Sequence, residues 1–466
     1  MKYKSTRGKV KGISFKETVM MGLADDGGLM IPEYIPTLSK DEMIELKDLN
    51  YKDIALKIMK LFIDDIDIST IKNIIDKSYS TFDKGDIIPV KRFDNNIFIA
   101  EIFHGPTYAF KDIALQFLGN LFEHILLEKN KKMNILGATS GDTGSAAIHG
   151  FKGKKDINIF ILHPHGKVSP IQELQMTTVT DKNVFNLAID GTFDDCQYIV
   201  KSIFNDLNFK QNYSLGAINS INWARVLAQV VYYFYTYFRV ANNFEKVYFS
   251  VPTGNFGNIF AGYIAKKIGL PIKKLILATN ENNILTRFVQ NGDYSLSNVV
   301  ETYSPSMDIQ IASNLERYFY FLFGEDSDEV IKKIKEFEQN GKINFNKSEV
   351  EQINIDFYSF STSNDETLKI IADFYKKYDY ILDPHTACGV NATLKLNDGE
   401  TPFINLATAH PAKFQDAIYK AISKLPEEPE RIMNLKNRDK KYFKLKNSVD
   451  EVKEFIRKEL NADTGN

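Results

Sequence analysis

The chain has 466 residues, enough for roughly two to four domains of ordinary size, so a large buried core needs no disulfide or metal staple. Lys and Arg total 58 against 60 Asp and Glu, a formal net charge of -2, which excludes a polyanion held by bulk charge and leaves nucleic acid unexpected as a partner. Two cysteines, Cys196 and Cys388, exclude a disulfide framework and do not pair as metal ligands by spacing; no metal is expected, and a reducing compartment, the cytoplasm, fits. The basic N-terminus lacks the apolar stretch of a secretory signal, and no run supplies about 18 apolar residues for a membrane span.

In chain order, residues 1 to 90 carry helical patterns, as at Asp41–Leu49 and Ile54–Ile63, interrupted by the loop GLADDGGLMIPEYIP. The texture then changes. Short apolar runs at 96–100, 133–138, 157–162, 247–251, 274–279 and 403–408 each lead into a turn and a helical pattern, as parallel strands buried on both faces do. That alternation predicts an α/β fold. The apolar run VVYYFYTYF, 230–238, is too short for a membrane and reads as a buried helix, with Tyr232, Tyr233, Phe234 and Tyr237 in the core. From about Lys424 the chain is rich in Lys and Glu, with a capping box Ser448-x-x-Glu451 before a last helix, and reads as a solvated C-terminal extension.

Four stretches carry unusual chemistry. In HGPTYAFKDIALQFLGN, 104–120, a Gly-Pro turn delivers Lys111 to the first turn of an apolar helix, the wrong end of the helix dipole for a cation. In GATSGDTGSAAIHGF, 137–151, small and hydroxyl residues lie between a strand and an Ala-rich helix, where backbone N–H groups converge as in an anion site. VPTGNFGNIFAGYIA, 251–265, resembles a phosphate cup, with Gly254 and Gly257 allowing close approach, yet matches neither the dinucleotide nor the nucleoside triphosphate motif. FINLATAHPAKF, 403–414, sets Thr408 and His410 at a strand end, where open α/β sheets bind ligands. A desolvated lysine, a phosphate cup and an anion loop together suggest a cofactor with an aldehyde and a phosphate. Pyridoxal 5'-phosphate has both, and burial beside a helix N-terminus would favour the free amine that forms an imine.

Taken in order, HGPTYAFKDIA, GATSGDTG, NSINWAR, PTGNFGN, SPSMDI and LATAHPAKF resemble the threonine synthases, in the longer form with an N-terminal extension, and the likeness runs to about residue 415. It implies the tryptophan synthase β-like fold (fold type II of the pyridoxal phosphate enzymes): two lobes of mostly parallel sheet with flanking helices. The divisions it implies are an N-terminal extension domain (1–92), a large cofactor domain (93–125 and 215–423), a smaller mobile domain (126–214) and a C-terminal extension (424–466). The implied reaction converts O-phospho-L-homoserine and water to L-threonine and phosphate by γ-elimination and β-addition.

Carried over by position, Lys111 is the Schiff-base lysine and the base; Gly254, Asn255, Phe256, Gly257 and Asn258 hold the cofactor phosphate; and Thr408 meets the pyridine nitrogen. Thr139, Ser140, Gly141, Asp142 and Thr143 match the loop for the substrate carboxylate, with Asp142 also beside the cofactor ring. Related enzymes often have Asn at the Asp142 position, so donation to the ring hydroxyl does not carry over. Asn219, Ser220 and Arg225 match residues that hold the substrate phosphate, a task suited to a planar, doubly donating guanidinium. His104, His385 and His410 read as site-lining or packing residues, while SPSMDI and DPHTACG have no physical role assigned at this level. The rival readings are another lyase of the same cofactor class, such as an amino-acid dehydratase or a phospholyase, and a non-catalytic binding protein. The first has no need of NSINWAR, and the second would lack Lys111 or Arg225. Monomer and homodimer both remain open.

Overall fold

The computed structural model describes residues 1–83 and 86–462. The chain forms two compact units, one of Met1–Ala114 with Ser220–Glu427 and one of Leu115–Asn219 with Glu428–Asn466.

The first unit is organised by a six-stranded sheet in the spatial order Phe357–Ser361, Ile272–Thr279, Val247–Pro252, Phe403–Ala407, Ile97–Glu101 and Val90–Arg92. All neighbours are parallel except the last pair, a short antiparallel hairpin. Val247–Pro252 and Phe403–Ala407 are buried at every position, the signature of strands covered on both faces. The helix Trp223–Val240 packs here with every residue but Arg239 buried. A helix that is apolar nearly all round belongs inside a domain, and the run at 230–238 is its centre.

The N-terminal segment is helical as its periodicity predicts. Phe15–Met21, Lys40–Leu46, Tyr51–Lys60 and Ile68–Tyr79 each start on a side-chain cap, Ser14, Ser39, Asn50 and Asp67 in turn, which satisfies a backbone N–H that the helix leaves open. The stretch read as a loop also holds a strand: Met30–Pro32 pairs antiparallel with Tyr3–Ser5.

The second unit is built on a five-stranded, wholly parallel sheet in the order Phe443–Lys446, Val184–Asp190, Ile157–Pro164, Met133–Ala138 and Leu215–Ala217. Here the expectation of a solvated C-terminal extension fails. Phe443–Lys446 is an edge strand, and helix Val449–Ala462 fully buries Val452 and Ile456 against Leu187, Ile199 and Ile203. The apolar positions Val449, Val452, Ile456 and Leu460 recur at helical spacing, and the charged residues between them hid that stripe. All six strands expected from the sequence occur, with ends within two residues of those expected.

Candidate active site

In the first unit three expected site segments leave the carboxyl ends of three adjacent parallel strands. Ile97–Glu101 leads to the turn before Lys111, Phe403–Ala407 leads to Thr408, and Val247–Pro252 leads to Gly254–Asn258. That edge is where open α/β sheets present ligands. The first two segments are also joined directly: Phe110 N–H donates to the Thr408 carbonyl at 2.9 Å, and Ala109 bridges Ala409.

Lys111 is the first residue of helix Lys111–Lys129, half-buried, with Nζ 5.0 Å from the Phe110 ring centre. The turn that presents it is held by Asp112, which is fully buried and accepts from the Thr107 backbone N–H at 2.7 Å and the Thr107 hydroxyl at 2.8 Å. Burial raises the Asp112 carboxyl to about 6 against the lowering effect of these donors. Buried Lys413 adds a hydrogen bond to the Thr107 carbonyl at 2.9 Å.

A second anchor is Glu101, 4 % exposed, which takes hydrogen bonds from His104 Nε2, Lys91 Nζ and Tyr380 Oη, each at 2.8 Å. Burial pushes this carboxyl up, but the three donors outweigh it and hold it down at about 2 against an ordinary 4.5. A folded pKa below the unfolded one contributes stability that is present above the unfolded value and lost as pH falls through the folded value. Glu101→Gln is therefore expected to cost about 2 kcal/mol of unfolding free energy at neutral pH, discounted because Lys91 is half exposed. The gap between variant and parent should close between pH 4.5 and 2 in denaturant titrations; a constant gap would show that the charge is not what matters.

Gly254–Asn258 forms a tight cradle. Phe256 adopts a left-handed φ of 64°, and helix Gly257–Ile268 starts from it with no side-chain cap, leaving its first N–H groups for a ligand. A Cβ on Gly254 would lie 2.9 Å from Ile309 Cδ1 and 3.1 Å from the Ser306 carbonyl, so the backbone lies where a side chain would have to be. Asn258 Nδ2 is buried without a hydrogen-bond partner among the described residues, while its Oδ1 accepts from the Tyr232 and Tyr233 hydroxyls at 2.5 and 3.1 Å. An uncapped helix start, a close backbone approach and an orphaned amide donor are together what a bound phosphate needs. The cofactor inferred from the sequence fits this cradle.

Arg225 sits in the first turn of the core helix, 5 % exposed, and its Nε and Nη1 have no partner among the described residues. Burial lowers the guanidinium to about 10. A buried cation without a counter-ion is costly, and an arriving dianion would offset that cost. Nearby, the Ser220 and Ser313 hydroxyls lie 2.8 Å apart and Ser313 donates to Asn255 Oδ1 at 3.2 Å, tying NSINWAR to the cradle. The Asn219 side-chain oxygen is buried and unpartnered among the described residues.

In the second unit, Thr139–Thr143 joins strand Met133–Ala138 to helix Asp142–Phe151. Thr139 Oγ1 accepts from the Gly141 and Gly144 N–H groups at 3.0 and 2.8 Å, shaping the turn, while Ser140 is exposed. Gly141 has φ 150°, and a Cβ there would collide with the Gln172 amide at 2.2 Å. Gln172 Nε2 donates to Asp142 Oδ1 at 2.7 Å. Asp142 is thus held as an acceptor.

Several supporting residues escaped sequence reasoning. Asn314 donates from its backbone and side chain to the Asn255 carbonyl, both at 3.1 Å, and fully buried Arg317 donates to the Met30 and Ile221 carbonyls and to Asn314 Oδ1. Burial lowers Arg317 to about 9. Only Asp112, next to Lys111, carried a local signal. His410 caps the turn Pro411–Phe414 by accepting the Ala412 N–H at 3.2 Å, and burial lowers it to about 4, so it is a neutral structural group.

Family models match along the chain: threonine synthase N terminus over residues 2–79, pyridoxal-phosphate dependent enzyme over 87–345, and threonine synthase C-terminal over 386–456. The threonine synthase of Saccharomyces cerevisiae is 47% identical, over 98% of each chain. Among solved structures, pyridoxal phosphate-bound threonine synthase from Brucella melitensis superposes with a TM-score of 0.97 at 42% identity over 98% of this chain and 99% of that one. Yeast threonine synthase gives 0.95 at 46% identity over 99% of each. With identity at this level over nearly the full length and a model of pyridoxal-phosphate dependent enzymes matching 87–345, the chain belongs to the threonine synthase family of pyridoxal phosphate-dependent enzymes.

Proposed function

We propose that the chain converts O-phospho-L-homoserine and water to L-threonine and phosphate, the last step of threonine formation, and that its site residues act as follows. Bound pyridoxal phosphate supplies an electron sink for charge released at the substrate's α- and β-carbons. Lys111 Nζ holds the cofactor through its aldehyde and, once displaced by substrate, moves protons at Cα, Cβ and Cγ. Gly254–Asn258 hold the cofactor phosphate on the uncapped helix start. Thr408 faces the ring nitrogen, and a hydroxyl there can donate but cannot balance a cation, which favours an unprotonated ring. Asp142, accepting from Gln172, acts toward the ring hydroxyl as an acceptor, while Thr139, Ser140, Gly141 and Thr143 hold the substrate carboxylate.

The observation that carries the reading is Arg225: buried, fixed on a core helix and with Nε and Nη1 unpartnered among the described residues, it suits the phosphate that leaves substrate Cγ, with Asn219 and Ser220 in the same NSINWAR stretch. A dehydratase acting on serine or threonine has no such group to hold. Among the described residues no helix is long and apolar enough to cross a membrane, and the buried free cysteines fit a cytoplasmic enzyme. The test is to incubate cofactor-loaded protein with O-phospho-L-homoserine and measure phosphate and threonine together. Equimolar release supports the proposal. Phosphate without threonine would identify a phospholyase, and neither product would leave a binding protein.

A further inference from the structure

The stretches DPHTACG and SPSMDI, which the reaction leaves without a task, meet at one buried carboxylate. Asp383 is 2 % exposed. Its Oδ1 accepts from the His385 backbone N–H at 3.0 Å and from His385 Nδ1 at 2.9 Å; its Oδ2 accepts from the Thr386 N–H at 3.4 Å and from the Thr386 hydroxyl. Two arms leave this carboxylate. In one, His385 Nε2 accepts the Ser306 N–H at 3.3 Å, which requires the ring proton to sit on Nδ1, facing Asp383. Ser306 is the wall behind the phosphate cradle, its carbonyl 3.1 Å from where a Gly254 Cβ would stand. In the other, Thr386 Oγ1 spends its proton on Asp383 and accepts the Thr408 N–H at 3.3 Å.

We propose that Asp383 is a positioning residue that sets both ends of the cofactor pocket, the phosphate end through His385 and Ser306 and the ring-nitrogen end through Thr386 and Thr408. The inference rests on the reading that Gly254–Asn258 hold the phosphate and Thr408 faces the ring. Asp383 is also the N-cap of helix Pro384–Leu396, but a cap needs only the backbone N–H groups. The side-chain arms add orientation. His385 is pinned between Asp383 and Ser306 with the Phe414 ring edge-on at 4.9 Å, and the imidazole carries the carboxylate's grip across 79 positions of sequence.

The two arms can be separated with two ligands, pyridoxal phosphate and pyridoxal, titrated into full-length apoprotein. His385→Asn keeps a group at the Nδ1 position but cannot reach Ser306; it should raise the Kd for pyridoxal phosphate about ten-fold, the loss of one hydrogen bond in a buried wall, and leave that for pyridoxal unchanged. His385→Gln, whose amide oxygen reaches the Nε2 position, should restore most of the affinity. Thr386→Val should leave both Kd values unchanged but shift the absorption and the pH titration of the bound chromophore, with Thr386→Ser restoring them. Equal losses on the two ligands, or no rescue by Gln and Ser, would reduce the cluster to an ordinary helix cap and overturn the proposal. Gly254→Ala is the reference. If it fails to discriminate against the phosphorylated ligand, the cradle reading falls and the proposal with it. If it discriminates and His385→Asn does not, the proposal alone is wrong.

Discussion

Arg225→Ala lowers kcat for O-phospho-L-homoserine by about two to three decades, on the order of 3 to 4 kcal/mol, while the cofactor stays bound with an unaltered spectrum. The size follows from what the guanidinium faces. It is buried with two nitrogens unpartnered among the described residues, so a phosphate that gains charge as it leaves would meet a donor already stripped of water. The cofactor should be untouched because the proposed reading puts its phosphate elsewhere, on Gly254–Asn258. Removing the side chain also relieves a buried, uncompensated charge, so the apoprotein should not lose stability and can gain it. Arg225→Lys recovers only part of the rate, since an ammonium cannot donate in the planar, doubled geometry. Deamination of serine or threonine by the same preparation, where present, should change much less, because those substrates bring no phosphate. Equal losses on both kinds of substrate, or loss of cofactor, would make Arg225 a structural residue.

Lys111→Ala should abolish turnover to within the assay floor, a fall of about four decades, at the upper end of what a positioned acid-base group supplies. It should also end covalent attachment: borohydride fixes the cofactor to the parent enzyme on the peptide containing Lys111 and fixes nothing to the variant. Cofactor affinity falls but does not vanish, because the uncapped helix at Gly257 still takes the phosphate. Lys413 is the internal control. It is buried behind the same turn but already donates to the Thr107 carbonyl, so label on Lys413, or activity surviving in Lys111→Ala, would refute the assignment.

The parts of this molecule that were legible in sequence are those whose signal is local. Strands such as Met133–Ala138 are short apolar runs ended by turns, and the cradle shows as strand, Gly-Asn-Phe-Gly-Asn, helix. Strand Val184–Asp190 does not show in sequence because Asn186 interrupts its apolar run; in the fold that amide donates to the Met176 carbonyl at 2.9 Å and to the Lys441 carbonyl at 3.4 Å. The last helix shows in its capping box, but its burial does not, because 3.6-residue periodicity is easily lost among charged neighbours. The supports of the site were invisible for a different reason. His385 to Ser306, Arg317 to Met30, and Glu101 to Tyr380 are pairings across 79 to 287 positions, and no window of sequence contains both partners. Sequence motifs name the groups proposed to meet a ligand; three-dimensional packing supplies the groups that hold them still.

The edge strand Phe443–Lys446 has a consequence for how the chain is made. Its neighbour Val184–Asp190 is synthesised about 250 residues earlier, so at 5 to 20 residues per second the nascent second unit waits roughly 10 to 50 s for its last strand. During that interval Val184–Asp190 offers an open hydrogen-bonding edge, and Leu187, Ile199 and Ile203 lack the cover later given by Val452 and Ile456. The second unit thus emerges from the ribosome incomplete, and its sheet closes only after the whole of the other unit has been synthesised. A stop codon a few dozen residues early would spare every residue assigned to chemistry and still leave a sticky strand exposed, directing the shortened product to chaperones, proteases or aggregates.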